Sequence, residues 1–173
     1  MLKLTVAALL ATLAAAPQSL APYIATPEDV VDRMLAFGEV TSADVVYDLG
    51  CGDGRIPIAA AKKYGAHGVG LDIDPKLIEQ ARANARAAGV EALVEFRVQD
   101  VMVADVSSAT VVTLYLLSSS NQKLRPMLMR QLKPGARIVS HAFSMGREWP
   151  ADKIDQFVSA RGDEVTLYLW KVR

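Results

Sequence analysis

Residues 45–55 read VVYDLGCGDGR, an apolar run that opens into three glycines at alternate positions, Gly50, Gly52 and Gly54, with Asp48 and Asp53 set among them. The apolar half reads as a buried strand, and the glycines as a tight turn into RIPIAAAKKY, which has helical periodicity. A strand-to-helix turn that combines glycines with carboxylates raises the question of which ligand needs both.

The same alternation continues outward from this turn. HGVGLDI reads as a second strand, followed by a helix from about Pro75 to Ala88, strands at LVEFRVQ and ATVVTLYLL, a helix from about Asn121 to Gln131, and a strand at ARIVSHAF. Upstream, Thr26-Pro27-Glu28-Asp29 supplies a capping residue, a proline for the first helical position and early acids, so VVDRMLAFG should be a helix ending near Gly38. At the other end DKIDQFVSA and EVTLYLWKV flank Arg161-Gly162-Asp163-Glu164, good material for a hairpin turn. Repeated βα units imply an α/β fold: a single Rossmann-like, doubly wound sheet, mostly parallel, with helices on both faces and the antiparallel hairpin at one edge. Ligands of such sheets bind at the carboxyl ends of the strands. Here those ends carry Asp48 to Gly50, Asp72, Asp100 and Tyr115, so three strands deliver an aspartate to one rim.

Composition limits the alternatives. A chain of 173 residues, 51% hydrophobic and 22% charged, supports one substantial core and is too short for two ordinary domains. Nineteen basic residues balance nineteen acidic ones, which leaves no overall field to steer the protein toward nucleic acid. Cys51 has no partner for an internal disulfide, and with His67 and His141 it makes no zinc-like ligand cluster, so no metal is expected. The first residues differ in character: Lys3 precedes LTVAALLATLAAA, which reads like the n-region and h-region of a secretory signal and is too short to span a bilayer comfortably. The alternative is a helix packed on the domain. The chain therefore divides into a signal-like or membrane-targeting segment over 1–22 and a folded domain over 23–173, either attached to a membrane, with the domain free to face the cytoplasm, or exported to a periplasm.

The ligand follows by elimination. A dinucleotide site would read G-x-G-x-x-G, whereas Gly54 is followed by Arg55, and a pyrophosphate would be repelled by Asp48 and Asp53 in a partly desolvated site. A ligand with a cationic head, a ribose and no phosphate fits better, and S-adenosyl-L-methionine has an ammonium, a sulfonium and a nucleoside. Asp72, at the end of the second strand, can accept both ribose hydroxyls, and Asp100 can accept from the adenine amino group while the Val101 amide meets the ring.

These residues resemble the class I S-adenosylmethionine-dependent methyltransferases: DLGCGDGR is similar to that superfamily's first motif, GLDIDP to its second and QDV to its adenine-contact motif. PYIATPEDVVDRML, VVTLYLL and VSHAFSMG further resemble a bacterial relative of the mitochondrial lysine methyltransferases that modify ATP synthase c subunit and the adenine nucleotide translocase. The resemblance implies that Asp48, Gly50, Cys51, Gly52 and Gly54 surround the methionine part, Asp72 and Ile73 the ribose, and Asp100 and Val101 the adenine. Tyr23 and Thr26 would close the site from the N-terminal side. Each glycine taken singly is also an ordinary turn, and each aspartate an ordinary cap; their convergence on one rim favours the ligand.

Methyl transfer asks mainly for alignment and exclusion of water, because the sulfonium already activates the leaving group. An acceptor lysine must first lose a proton, which a partly apolar pocket favours. Tyr115 is the candidate for shaping that pocket, an ordinary core tyrosine being the alternative, and His141, Met145 and Trp149 are further candidates. The N-P-P-[YF] pattern of amide and adenine methyltransferases is absent, Leu116-Leu117-Ser118-Ser119 standing in its place. With no inserted lid visible, a protein substrate is expected. A small-molecule methyltransferase and a module that binds the cofactor without turnover are the alternatives.

Overall fold

The computed structural model describes residues 23–173. The order is α1 (Glu28–Phe37), β1 (Val45–Leu49), α2 (Arg55–Tyr64), β2 (His67–Asp72), α3 (Pro75–Ala88), β3 (Val94–Val98), a 3-10 turn at Val101–Val103, β4 (Val111–Leu114), α4 (Ser118–Gln131), β5 (Arg137–His141), β6 (Lys153–Val158) and β7 (Glu164–Lys171). The seven strands form one sheet in the order β3-β2-β1-β4-β5-β7-β6. β1 through β5 run parallel, and β7 pairs antiparallel with both β5 and β6. The chain reverses its winding between β1 and β4, the switch point at which such sheets bind ligands.

Alternation along the strands sorts the core into two layers. Val46, Val111 and Val139 pack with Val30, Met34 and Leu35 of α1 and Ile56 and Ala60 of α2. Tyr47, Leu49, Leu71, Val112, Leu114 and Ile138 face the other way, against Leu124, Met127 and Leu128 of α4. α3 adds Ile78, Ala81 and Ala85 on the α2 side, around Phe96.

Most boundaries follow local chemistry. α3 starts where Asp74 accepts from the Lys76 amide (2.8 Å) and ends at Gly89 in the left-handed region (φ 70°). Three expectations are corrected. Thr26 does not cap α1: Pro27 takes the N-cap position with extended ψ (149°), no side chain caps the helix, and the buried Thr26 instead gives its carbonyl to Arg55. α4 begins at Ser118, three residues before the expected start, with Leu117 at its N-cap position. β4 is shorter than the apolar run that announced it, because the chain leaves the sheet after Leu114. Residues 1–22, which carry the signal-like reading, lie outside the described residues.

Candidate active site

The turns after β1, β2, β3 and β4 meet the segment before α1 around a cleft at the carboxyl rim. Of the residues expected to hold the cofactor, Tyr23, Thr26, Asp48, Gly50, Cys51, Asp72, Ile73, Asp100 and Val101 line it, and so does Tyr115. Gly52 and Gly54 contribute differently. A Cβ on Gly52 (φ 53°) would fall 2.3 Å from Cε2 of Tyr23, so the glycine is what lets that ring lie across the turn. A Cβ on Gly54 (φ 80°) would meet the Phe96 ring at 2.6 Å and Ala81 at 2.8 Å; this glycine allows α2 and α3 to close on the sheet.

Hydrogen bonds fix the rest of the turn. The Gly50 and Cys51 amides both donate to the Leu71 carbonyl (2.8 and 2.9 Å), tying the glycine turn to β2. Asp72 accepts from the Gly52 amide through Oδ2 (2.9 Å) and from the Asp74 amide through Oδ1 (3.0 Å). Each carboxylate oxygen has two acceptor sites. Both therefore retain capacity for a diol, and the two amides hold the carboxylate in a fixed plane. Asp100 likewise accepts from the Met102 amide (2.9 Å), starting the 3-10 turn.

The electrostatics are lopsided. Asp48 is buried, and its carboxyl is pushed up to about 7, first by burial and then by the charges of Asp72 and Asp53, against a 2.7 Å hydrogen bond from the Thr113 hydroxyl. Among the described residues no cationic side chain pairs with it. Burial also pushes the Cys51 thiol up, which makes it an inert lining group. A buried acid crowded by two others is stabilised by an incoming cation, so the donor set fits an ammonium and sulfonium ligand over a glycine floor.

Sequence reading did not single out Arg55. Its guanidinium clamps Asp53 through two bonds (3.0 and 2.6 Å) and reaches 2.7 Å to the Thr26 carbonyl, fastening the N-terminal segment over the cleft. Arg55 also holds the Asp53 carboxyl below its ordinary range, by outweighing the effect of burial. Arg55 stands next to Gly54 in the motif, but nothing in its local sequence indicates a partner 29 residues away. Gln99, Ile56 and Leu116 also line the cleft, as do Ile24 and Ala25. On the acceptor side, Met145 is fully buried in the core and Trp149 packs against that core, its carbonyl accepting from the Trp170 indole (2.9 Å). Both are structural. His141 stacks on Tyr115 with ring centroids 4.0 Å apart.

Sheet order, switch-point cleft and acid-and-glycine turn together define a class I S-adenosylmethionine-dependent methyltransferase. The ANTKMT methyltransferase domain model matches residues 48–153, and this chain belongs to that family. It is 41% identical over 152 residues to a protein-lysine N-methyltransferase of Saccharolobus islandicus, covering 87% of this chain and 93% of the relative. It is 31% identical over 134 residues to the ribosomal protein L11 methyltransferase of Dechloromonas aromatica, of which it spans only 42%. Among solved structures, one described as an RNA methyltransferase of Salinibacter ruber in complex with S-adenosyl-L-homocysteine is 56% identical, with a TM-score of 0.80 over 86% of this chain and 94% of that one.

Proposed function

We propose that this enzyme N-methylates lysine side chains of a protein, with S-adenosylmethionine as methyl donor. The observation that carries the reading is the charge of the cleft. Asp48, Asp53, Asp72 and Asp100 line it, and its one lining cation, Arg55, is already committed to Asp53. Such a rim attracts an ammonium and repels a phosphate backbone, and a chain with no net charge has no compensating field for a polyanion. The near full-length likeness to a protein-lysine N-methyltransferase supports the same acceptor.

The cofactor supplies a methyl group on a positively charged sulfur, which makes the carbon electrophilic. In this reading Asp72 and Ile73 hold the ribose, Asp100 and Val101 the adenine, and Asp48 with the Gly50 turn the amino-acid end. Tyr23 and Arg55 keep the N-terminal side shut against water. The acceptor amine would need to shed one proton to solvent so that its lone pair could take the methyl group, and the methylated product would keep its ammonium charge. Tyr115 shapes the acceptor side, and no general acid is needed, since the leaving group is neutral once it departs.

Methyl-labelled cofactor added to bacterial extract, followed by separation into protein, RNA and small-molecule fractions, tests the reading. Label on lysine by mass spectrometry is expected. Label confined to RNA, as the description of the Salinibacter ruber protein would suggest, overturns it, and so does label confined to metabolites. The same reading includes membrane targeting by residues 1–22, on the strength of Lys3 and the apolar run after it. Fractionation of cells expressing the full chain should place the enzyme with membranes, and wholly soluble full-length protein counts against that part.

A further inference from the structure

The two edges of the sheet are finished differently. β3, at one end of the strand order, carries Glu95 and Arg97, paired to each other through two bonds of 2.7 Å. Charge on an edge discourages a further strand from adding to it. β6, at the other end, lacks that guard: Ile154, Gln156 and Val158 share a face with Tyr168, Thr166 and Glu164 of β7, and Ile154 and Val158 are 59% and 66% exposed. Among the described residues no strand pairs with the outer side of β6.

The ladder to β7 determines which backbone groups of β6 are already used. The Ser159 amide donates to the Asp163 carbonyl (2.8 Å), which lies directly opposite in the continuation of the β6–β7 register. Bonded pairs alternate along an antiparallel ladder, so Lys153, Asp155 and Phe157 bond inward to β7 while the amides and carbonyls of Ile154, Gln156 and Val158 point outward. The open edge thus presents three evenly spaced residues, each with a donor and an acceptor unused by the sheet.

We propose that β6 pairs antiparallel with β6 of a second copy of this chain, about a two-fold axis at Gln156. In that register Gln156 faces Gln156 and Ile154 faces Val158 of the second copy, so every outward amide meets a carbonyl and the exposed apolar side chains cover each other. Neighbouring registers match less well. An axis at Asp155 sets two carboxylates against each other, and an axis at Phe157 puts Ile154 opposite Ala160, whose amide is already bonded to Asp29 (2.6 Å). Charge on the other face fits the same axis. Asp155 comes beside Phe157 of the second copy while bound by its own Arg33 (2.6 and 3.1 Å), whose guanidinium lies 5.2 Å from its own Phe157 ring centroid. That guanidinium is 53% exposed with donors to spare, so the two Arg33–Asp155 pairs meet across the axis as a cluster of alternating sign. β6 runs parallel to β5, since both are antiparallel to β7, and the axis therefore turns the two carboxyl rims to opposite ends and leaves both clefts open. The inference is independent of which acceptor the enzyme methylates.

Sedimentation velocity of the full chain, at concentrations on the order of tens of micromolar, should show a species of twice the mass of one chain. Gln156→Pro removes the central outward donor without touching a bond to β7, and it should weaken association about tenfold or more while affinity for S-adenosylhomocysteine stays within about twofold. Ile154→Glu changes an exposed side chain, so the test does not hang on the proline variant folding. It sets a carboxylate near Glu164 of the second copy and should also give monomers, whereas adding Val158→Lys supplies the opposite charge across the axis and should restore the dimer. A monomeric wild type overturns the proposal, as does a double variant that stays monomeric. Association through the apolar run near the N-terminus would survive both single substitutions, and that result too overturns it.

Discussion

Asp44 and Asp48 stand four residues apart at opposite ends of β1, both buried, and they meet opposite treatment. At the amino rim, Asp44 accepts from the Thr110 hydroxyl (2.7 Å) and the Thr41 amide (2.8 Å) and pairs with Arg137 at the start of β5. Burial works to raise its carboxyl, but those hydrogen bonds and the Arg137 charge outweigh it and hold the group below the ordinary range. At the carboxyl rim, Asp48 has the Thr113 hydroxyl and, for company, two more acids. One end of the strand is electrostatically complete without a ligand and the other is not. Locally unsatisfied charge in a well-packed molecule marks where a ligand finishes the structure.

Breaking each rim should therefore fail in a different assay. The largest effect is expected from Asp72→Ala. In the proposed reading its carboxylate accepts two hydroxyls of the ribose, and each charged hydrogen bond contributes about 1.5 to 3 kcal/mol. Affinity for S-adenosylhomocysteine should fall by about a hundredfold or more, and calorimetric titration giving equal affinities would remove Asp72 from the ribose site. Arg137→Met, at the other rim, should leave cofactor affinity within about twofold and lower the stability of the fold by about 3 kcal/mol, since it strands a buried carboxylate. The pair is well shielded, with side-chain exposures of 16% and 8%. A folded Arg137→Met protein that no longer bound the cofactor would show that the rims are not separate.

The contrast also marks what can be read from sequence. The binding rim is local: Asp48 and its glycines lie in one stretch, and Asp72 and Asp100 each end a recognisable strand, so alternation of βα units was enough to bring them together. α3 was equally legible, with Asp74-Pro75 before it and Gly89 after it. The stabilising rim is not local. Asp44 meets Arg137 across 93 residues and Thr110 across 66, and neither spacing has a signature. Gly70 is a similar case. It read as part of a strand, but a Cβ there would sit 2.5 Å from the Phe96 ring and 2.7 Å from the Cys51 sulfur, a demand set by the neighbouring strand and the turn. The Thr26 misreading has the same origin: Thr-Pro-Glu-Asp is good capping chemistry, and a tertiary partner, Arg55, claimed the residue's carbonyl instead.

The smallest expected effect is the most specific to this comparison, because the two aspartates should titrate in opposite senses. Asp44, lowered in the folded state, contributes stability that is present above the ordinary carboxylate pKa and lost as pH falls through its folded value. Asp48 is raised from 3.8 to about 7, so its contribution is present below about 4 and is lost as pH rises toward 7, where the folded protein must hold an unpaired buried charge. A cationic cofactor reverses that penalty by favouring the ionised carboxyl. Binding should then expel a proton from Asp48 below about pH 7, and affinity for S-adenosylmethionine should be about tenfold weaker near pH 6 than near pH 8, levelling off above. Asp48→Asn keeps the size of the side chain and an acceptor for the Thr113 hydroxyl but cannot ionise, so its affinity should be low at every pH and nearly flat across the range. Titration calorimetry in two buffers of different ionisation enthalpy reads the proton directly. If wild type released none near pH 6, or if Asp48→Asn kept the full pH dependence, the incomplete rim would owe its character to some group other than Asp48.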